Sequence, residues 1–182
     1  MKAIFVTILF AALFSIAALA HEVDESNVLP YTGNERSFTL LDQDGKVFTE
    51  EDLLGKPTAV FFGFTFCPDV CPMTLSNLTD LIEESGVDIR VIMITIDPDN
   101  DTSNVLGKYL SYYNEAYVGL TGSEIELESA ARSFFVTKEK EEGVLSHSAS
   151  IYLLDKDGKL KDAIFYTEDR STAIPKLKSI VE

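Results

Sequence analysis

An uninterrupted apolar run, Thr58-Ala59-Val60-Phe61-Phe62-Gly63-Phe64, leads within three residues to a cysteine, and from there into a helical pattern. A run this short and this apolar, preceded by Gly55-Lys56-Pro57, reads as a strand buried on both faces. Beyond it, Pro72 to Glu84 sets Leu75, Leu78, Leu81 and Ile82 on one helical stripe, and Gly86 supplies the stop. The segment Phe66-Cys67-Pro68-Asp69-Val70-Cys71-Pro72 therefore fills a strand-to-helix turn. Pro72 fits the first helical position, which makes Cys71 the expected N-cap. Both sulfurs then stand in the positive field of a helix N-terminus, where thiolate is favoured.

The flanking patterns extend this unit. Ser37-Phe38-Thr39-Leu40-Leu41 and Lys46-Val47-Phe48-Thr49 enclose Asp44-Gly45 and predict a β-hairpin. Ile89 to Ile96 reads as a second buried strand, closed by Asp97-Pro98-Asp99-Asn100-Asp101, and a helix is expected from about Ser103 to Tyr113. Ser123 with Glu126 forms a capping box that opens a helix towards Phe134. Thr137 to Gly143 reads as a charged loop. Ser150 to Leu154 and Leu160 to Phe165, around Asp157-Gly158, predict a second hairpin. A last helix is expected from near Thr172 to Val181, with Pro175 in its first turn. Alternating strands and helices followed by an antiparallel pair specify an α/β fold: a thioredoxin-like mixed sheet flanked by helices, with an N-terminal β-hairpin.

Residues 1–20 stand apart from this pattern. Lys2 is followed by uncharged, mostly apolar residues to Ala20, ending in the small-x-small sequence Ala18-Leu19-Ala20. This is the pattern of an exported signal peptide; left uncut, it would serve as an anchor helix. Residues 21–35 read as a polar, flexible arm, and 36–182 as the folded domain. Either fate of the leader puts that domain outside the cytoplasm, with the bacterial periplasm as the expected compartment. Residues 1–20 hold one base and no acid, so the remaining 162 residues carry 14 basic and 30 acidic side chains, a net charge of −16. An acidic chain without a basic patch is a poor partner for nucleic acid or anionic lipid. Nothing in it demands a dimer, and a monomer is expected.

Cys67 and Cys71 admit three roles. A structural disulfide suits an oxidising compartment, but a bridge enclosing three residues constrains the unfolded chain little. A redox dithiol is the second role, in which Cys67 exchanges with a partner and Cys71 resolves the mixed disulfide. The third is a metal site: three intervening residues, against two in thioredoxins, hold the sulfurs apart enough to clamp an ion. Two histidines lie outside residues 1–20. His21 is a floppy terminus capable at most of weak Cu(II) chelation. His147 precedes a core strand expected to neighbour the strand that leads to the cysteines. Two thiolates and an imidazole make a soft three-donor set suited to Cu(I), to which Asp69, Asp97 or water could add an oxygen for Cu(II). Structural zinc would want four protein ligands.

Several alternatives lose ground on specific residues. Asp97, Asp99 and Asp101 resemble the start of a calcium loop, but Thr102 and Lys108 stand where its glycine and glutamate belong, so the run reads as a turn and helix cap. Thioredoxin-like oxidoreductases place a proline before the strand beside their cysteines; Ser148-Ala149-Ser150 has none. A peroxidase of the peroxiredoxin type wants a hydroxyl three residues before its cysteine, where this chain has Phe64.

The stretch Phe62-Gly63-Phe64-Thr65-Phe66-Cys67-Pro68-Asp69-Val70-Cys71-Pro72 resembles the signature of the Sco/SenC copper-chaperone family. So do Phe38-Thr39-Leu40 with Asp44-Gly45, Asp52-Leu53-Leu54-Gly55-Lys56, Ile96-Asp97-Pro98-Asp99-Asn100-Asp101-Thr102, Gly119-Leu120-Thr121-Gly122, and His147-Ser148 with Ile151-Tyr152-Leu153-Leu154-Asp155. The resemblance covers about Glu35 to Val181. It implies copper, as Cu(I) or Cu(II), held by Cys67, Cys71 and His147. It also implies a role in maturing the binuclear copper site of cytochrome c oxidase subunit II. Many members carry a histidine just before the first cysteine; Phe66 stands there in this chain. Two functions follow as expectations. One is a non-enzymatic carrier that passes copper to subunit II or another copper protein. The other is an extracytoplasmic thiol–disulfide oxidoreductase that reduces such a site's cysteines and is itself served by a thiol reductant.

Overall fold

The computed structural model of the chain describes residues 37–136, 139–141, 144–146 and 150–182. The expected leader (1–20), the arm (21–35), His21 and His147 lie outside the described residues. Strand β3 (Thr58–Gly63) is the centre of a five-stranded sheet. On one side it pairs in parallel with β4 (Arg90–Thr95), which pairs in parallel with β5 (Val118–Leu120). On the other it pairs antiparallel with β8 (Ser150–Leu154), which forms a hairpin with β9 (Leu160–Phe165). Every residue of β3 and β8 is buried, as a strand with both faces covered requires.

Side-chain alternation divides the core into two layers. Ala59, Phe61, Val91, Met93, Ile151 and Leu153 point to one face. There they meet Leu75, Leu78 and Leu81 of α1 (Val70–Ser85), Leu106 and Leu110 of α2 (Ser103–Ser111), and Ala173 and Leu177 of α4 (Arg170–Ser179). Val60, Phe62, Ile92, Ile94, Tyr152 and Leu154 point to the other. That face is covered by α3 (Glu124–Ser133) and by the N-terminal hairpin β1–β2 (Thr39–Leu41, Val47–Thr49), followed by a 3-10 turn over Glu50–Leu53. Phe134 packs its ring edge-on to Phe62 at 5.6 Å between centroids and lies 5.7 Å from Tyr152.

Local sequence signals explain the turns. Both hairpins use one device: the carboxylate of Asp42 accepts from the amides of Asp44 and Lys46, and that of Asp155 from those of Asp157 and Lys159. Gly45 and Gly158 then supply the positive φ. The capping box forms as expected, with Glu126 Oε2 accepting from the Ser123 amide at 2.7 Å.

Four features differ from the sequence reading. β5 was not expected: three residues are too short to show a period. A Cβ on Gly119 would lie 2.8 Å from Leu106 Cβ, so the glycine lets α2 sit directly on the strand. Within the expected charged loop, β6 (Glu139–Glu141) pairs with β7 (Val144–Ser146), which follows it, in a third small hairpin whose sequence carries no apolar alternation. α4 begins at Arg170, which puts Pro175 inside the helix rather than in its first turn. α1 starts two residues earlier than expected, with consequences for the dithiol.

Candidate metal centre

After Gly63 the chain turns through Phe64–Asp69 into α1. The Cys67 amide donates to the Phe64 carbonyl at 3.2 Å, which closes the turn. Asp69 is the N-cap of α1, but its side chain makes no capping bond. The Cys67 sulfur performs that service: the Cys71 amide donates to Cys67 Sγ at 3.4 Å. Cys71 is therefore the second helical residue, not the N-cap, and Pro72 the third, not the first. First-turn amides have no acceptor within the helix, so a proline is tolerated at either position.

The two sulfurs occupy unlike surroundings. Cys67 is partly exposed and Cys71 is 1% exposed. Cys71 Sγ packs against the end of β3: a Cβ built on Gly63 would sit 3.0 Å from it, 3.2 Å from the Phe61 ring and 3.4 Å from the Met93 methyl. Glycine is needed at 63 because the sulfur approaches so closely.

Protonation follows these surroundings. Burial raises the Cys67 thiol, but that effect is outweighed by the N–H groups of Asp69, Cys71 and Val70 and by a hydrogen bond from the Cys71 side chain. The net result is a thiol held below its ordinary value. Burial pushes the Cys71 thiol up to about 12. A Phe64 backbone hydrogen bond opposes the rise, while the hydrogen bond to Cys67 and the charges of Cys67 and Asp101 add to it. The reduced pair thus presents one accessible sulfur that ionises readily and one buried sulfur that keeps its proton.

A buried carboxylate anchors this turn. Asp101 is fully buried. Its Oδ2 accepts from the Thr65 amide at 3.1 Å and from Thr95 Oγ1 at 2.6 Å, and its Oδ1 accepts from Thr65 Oγ1. Thr95 ends β4, so Asp101 ties the dithiol turn to the neighbouring strand. Asp97, one of the oxygen donors the sequence offered to a Cu(II) shell, accepts from the Asn100 side chain at 2.8 Å and closes the turn through its carbonyl. Thr102 caps α2. The turn-and-cap reading of Asp97–Asp101 therefore holds, but the residue aimed at the dithiol turn is Asp101. No local pattern announces it, since its partner Thr65 lies 36 residues away.

Strand β8 contributes from the other side. Its register sets Ile151 opposite Phe61, so Ser150 starts the strand near the carboxyl end of β3, where the dithiol turn begins. Ser150 follows His147 by three residues. Among the described residues, no three His, Cys, Asp or Glu side chains cluster as a metal site. The described donors are two convergent sulfurs, a set suited to a soft cation such as Cu(I) or to thiol–disulfide exchange.

A family model described as SCO1/SenC matches residues 30–182. The chain belongs to the SCO1/SenC family. An SCO2-like protein of Rickettsia felis is 37% identical over 132 residues, which cover 67% of this chain and 64% of that protein. The chain thus spans less than two thirds of that relative's length. The copper-bound structure of ScoI from Bradyrhizobium japonicum is 35% identical, covers 80% of this chain and 98% of its own, and superimposes with a TM-score of 0.69. A structure of BsSco, described as a Sco-family cytochrome c oxidase assembly protein with a disulfide switch, is 33% identical with a TM-score of 0.65. That match covers 79% of this chain and 91% of BsSco. The expected thioredoxin-like fold is thus the fold of this SCO1/SenC protein.

Proposed function

We propose that this SCO1/SenC protein is a copper metallochaperone in which Cys67, Cys71 and His147 hold the ion. Its acceptor would be the binuclear copper site of cytochrome c oxidase subunit II or another copper protein. The observation that carries this reading is the convergence of the two sulfurs at the start of α1, with the Cys71 amide on Cys67 Sγ. Likeness to the copper-bound ScoI structure supports the choice of metal. The start of β8 near the carboxyl end of β3 supports His147 as third donor. Cys67, the exposed sulfur, would meet the acceptor first, and copper would pass by exchange of one thiolate for another. We assign residues 1–20 to an export signal or membrane anchor, 21–35 to a tether and 36–182 to the working domain, placed outside the cytoplasm and acting as a monomer.

A second reading has its own support in the asymmetry of the pair. Cys67 thiolate would attack a partner's disulfide and release one partner thiolate. Cys71, once deprotonated, would displace the other. The partner gains two electrons and becomes a dithiol, while this chain becomes the Cys67–Cys71 disulfide and needs a thiol reductant to restart.

An anaerobic titration of the reduced protein with Cu(I) and Cu(II) against a competing chelator separates the readings. Copper transport requires one tightly held ion per chain, lost in Cys67→Ser and Cys71→Ser, with Cu(II) severely weakened and Cu(I) less so in His147→Ala. Affinity no better than that of a short cysteine peptide, indifferent to His147, would leave thiol exchange as the function.

A further inference from the structure

A sheet edge is a row of N–H and C=O groups without a partner strand, and it templates pairing with another chain. The five-stranded sheet has two edges, β5 and β9, and they are closed in different ways. A segment of the N-terminal hairpin covers β5. Leu41 exchanges both backbone bonds with Thr121. The Gln43 side chain imitates a strand's peptide group, donating to the Tyr117 carbonyl at 3.2 Å and accepting from the Gly119 amide at 3.0 Å. Among the described residues no strand covers β9.

In an antiparallel pair, alternate residues turn both backbone groups away from the partner strand. Ala163 and Phe165 are such residues of β9, and all four of their groups are bonded outside the ladder. The Ala163 amide donates to Asp162 Oδ1 at 2.7 Å, and its carbonyl accepts from Lys176 Nζ at 2.8 Å. The Phe165 amide donates to Glu168 Oε2 at 3.2 Å, and its carbonyl accepts from the Glu168 amide at 2.9 Å. One ammonium joins the set: Lys176 Nζ lies 2.9 Å from Glu168 Oε1 and 3.6 Å from Asp162 Oδ1. The lysine and Glu168 side chains are only 27% and 14% exposed. α4 already docks on the sheet through Ala173 and Leu177, whereas the contacts of Lys176 all serve the β9 edge.

We propose that Lys176, Glu168 and Asp162 guard a strand-addition edge, and that the occupant they exclude is β9 of a second copy of this chain. A two-fold axis sets β9 antiparallel to itself, so the backbone groups of Ala163 and Phe165 in one copy meet the same set in the other. Phe165, 58% exposed at the end of the strand, adds an apolar contact to such a pair. The inference rests on the monomeric assignment above, not on copper, and names the side chains that enforce it.

Sedimentation over a concentration series, paired with amide hydrogen exchange, tests this. Lys176→Met combined with Glu168→Ala removes one base and one acid, so the net charge does not change. Wild type should stay monomeric, while the double variant reaches about twice that mass as concentration rises. At low concentration its Phe165 amide, without its acceptor, should exchange about tenfold faster than in wild type, and regain protection as the dimer forms. Lys176→Met alone frees the Ala163 carbonyl and carries a weaker form of the same expectation, should the double variant not fold. Lys178→Met, on the same helix and outside these bonds, should stay monomeric. A folded double variant that remains monomeric throughout overturns the proposal, as does a dimer in which the Ala163 and Phe165 amides gain no protection. Protection without a rise in mass means a different occupant and overturns the second-copy assignment. A wild-type chain already paired through β9 overturns the guard and the monomeric assignment together. A wild-type dimer through another surface removes only that assignment, and the two amides still decide the guard.

Discussion

Cys67 and Cys71 lie four residues apart and share a hydrogen bond, yet they belong to two different regions of the molecule. Cys67 sits on the turn, partly open to solvent, with amides converging on its sulfur. Cys71 sits inside the first helical turn, pressed against Gly63 and closed off from water. The contrast gives the pair two unlike sulfurs: one that a partner can reach and one that the fold encloses. A clamp for copper needs both sulfurs as thiolates, so loading must remove the proton that Cys71 keeps.

The largest effect that could break this comparison is in thiol chemistry. Burial pushes the Cys71 thiol up to about 12, whereas the N–H groups around Cys67 hold its thiol below its ordinary value. At pH 8 Cys67 should therefore carry by far the larger thiolate fraction and be alkylated much faster than Cys71. Mass spectrometry of peptides from a timed iodoacetamide reaction reads the ratio. Comparable labelling of the two cysteines would abolish the contrast. The sign with pH is fixed as well. Cys67 labelling falls only as pH drops through its lowered pKa, whereas Cys71 labelling stays slow until strongly alkaline pH.

Gly63→Ala sharpens the comparison from the buried side. The new methyl would meet Cys71 Sγ, Phe61 and Met93 at once, at a cost of about 1–3 kcal/mol on the scale of core overpacking. Thermal unfolding should register the loss. Copper affinity should fall with it, while Cys67 keeps its alkylation rate. The proton held by Cys71 predicts a further effect: copper affinity should rise about tenfold per pH unit for each proton displaced on binding, measured by chelator competition between pH 6 and 8. The smallest effect is a control. Ser123→Ala removes the cap of α3, on the face of the sheet opposite α1, at about 1 kcal/mol. It should leave both cysteines and the copper affinity alone.

How far the sequence could be read depends on how local each cause is. The buried β3 run, the α1 stripe, both hairpin turns and the Ser123 capping box were legible because each is written within a few consecutive residues. The start of α1 was misplaced because Pro72 satisfies more than one first-turn position and because the capping atom is a cysteine sulfur from the preceding turn. β5 escaped because its glycine answers to Leu106 on another element. Asp101 escaped for the same reason, and suspicion fell on Asp97. Both aspartates sit in one polar run, and only the fold decides which turns inward. The paired cysteines were legible as candidates; their unequal protonation was not, since it comes from burial against β3.

The central claim is that two cysteines and one histidine hold a single copper ion. X-ray absorption of the chain loaded with one equivalent of copper tests it most directly. We expect two sulfur neighbours and one imidazole nitrogen around Cu(II), with the imidazole signal lost in His147→Ala. A first shell of nitrogen and oxygen alone, or an imidazole signal that survives His147→Ala, would contradict it.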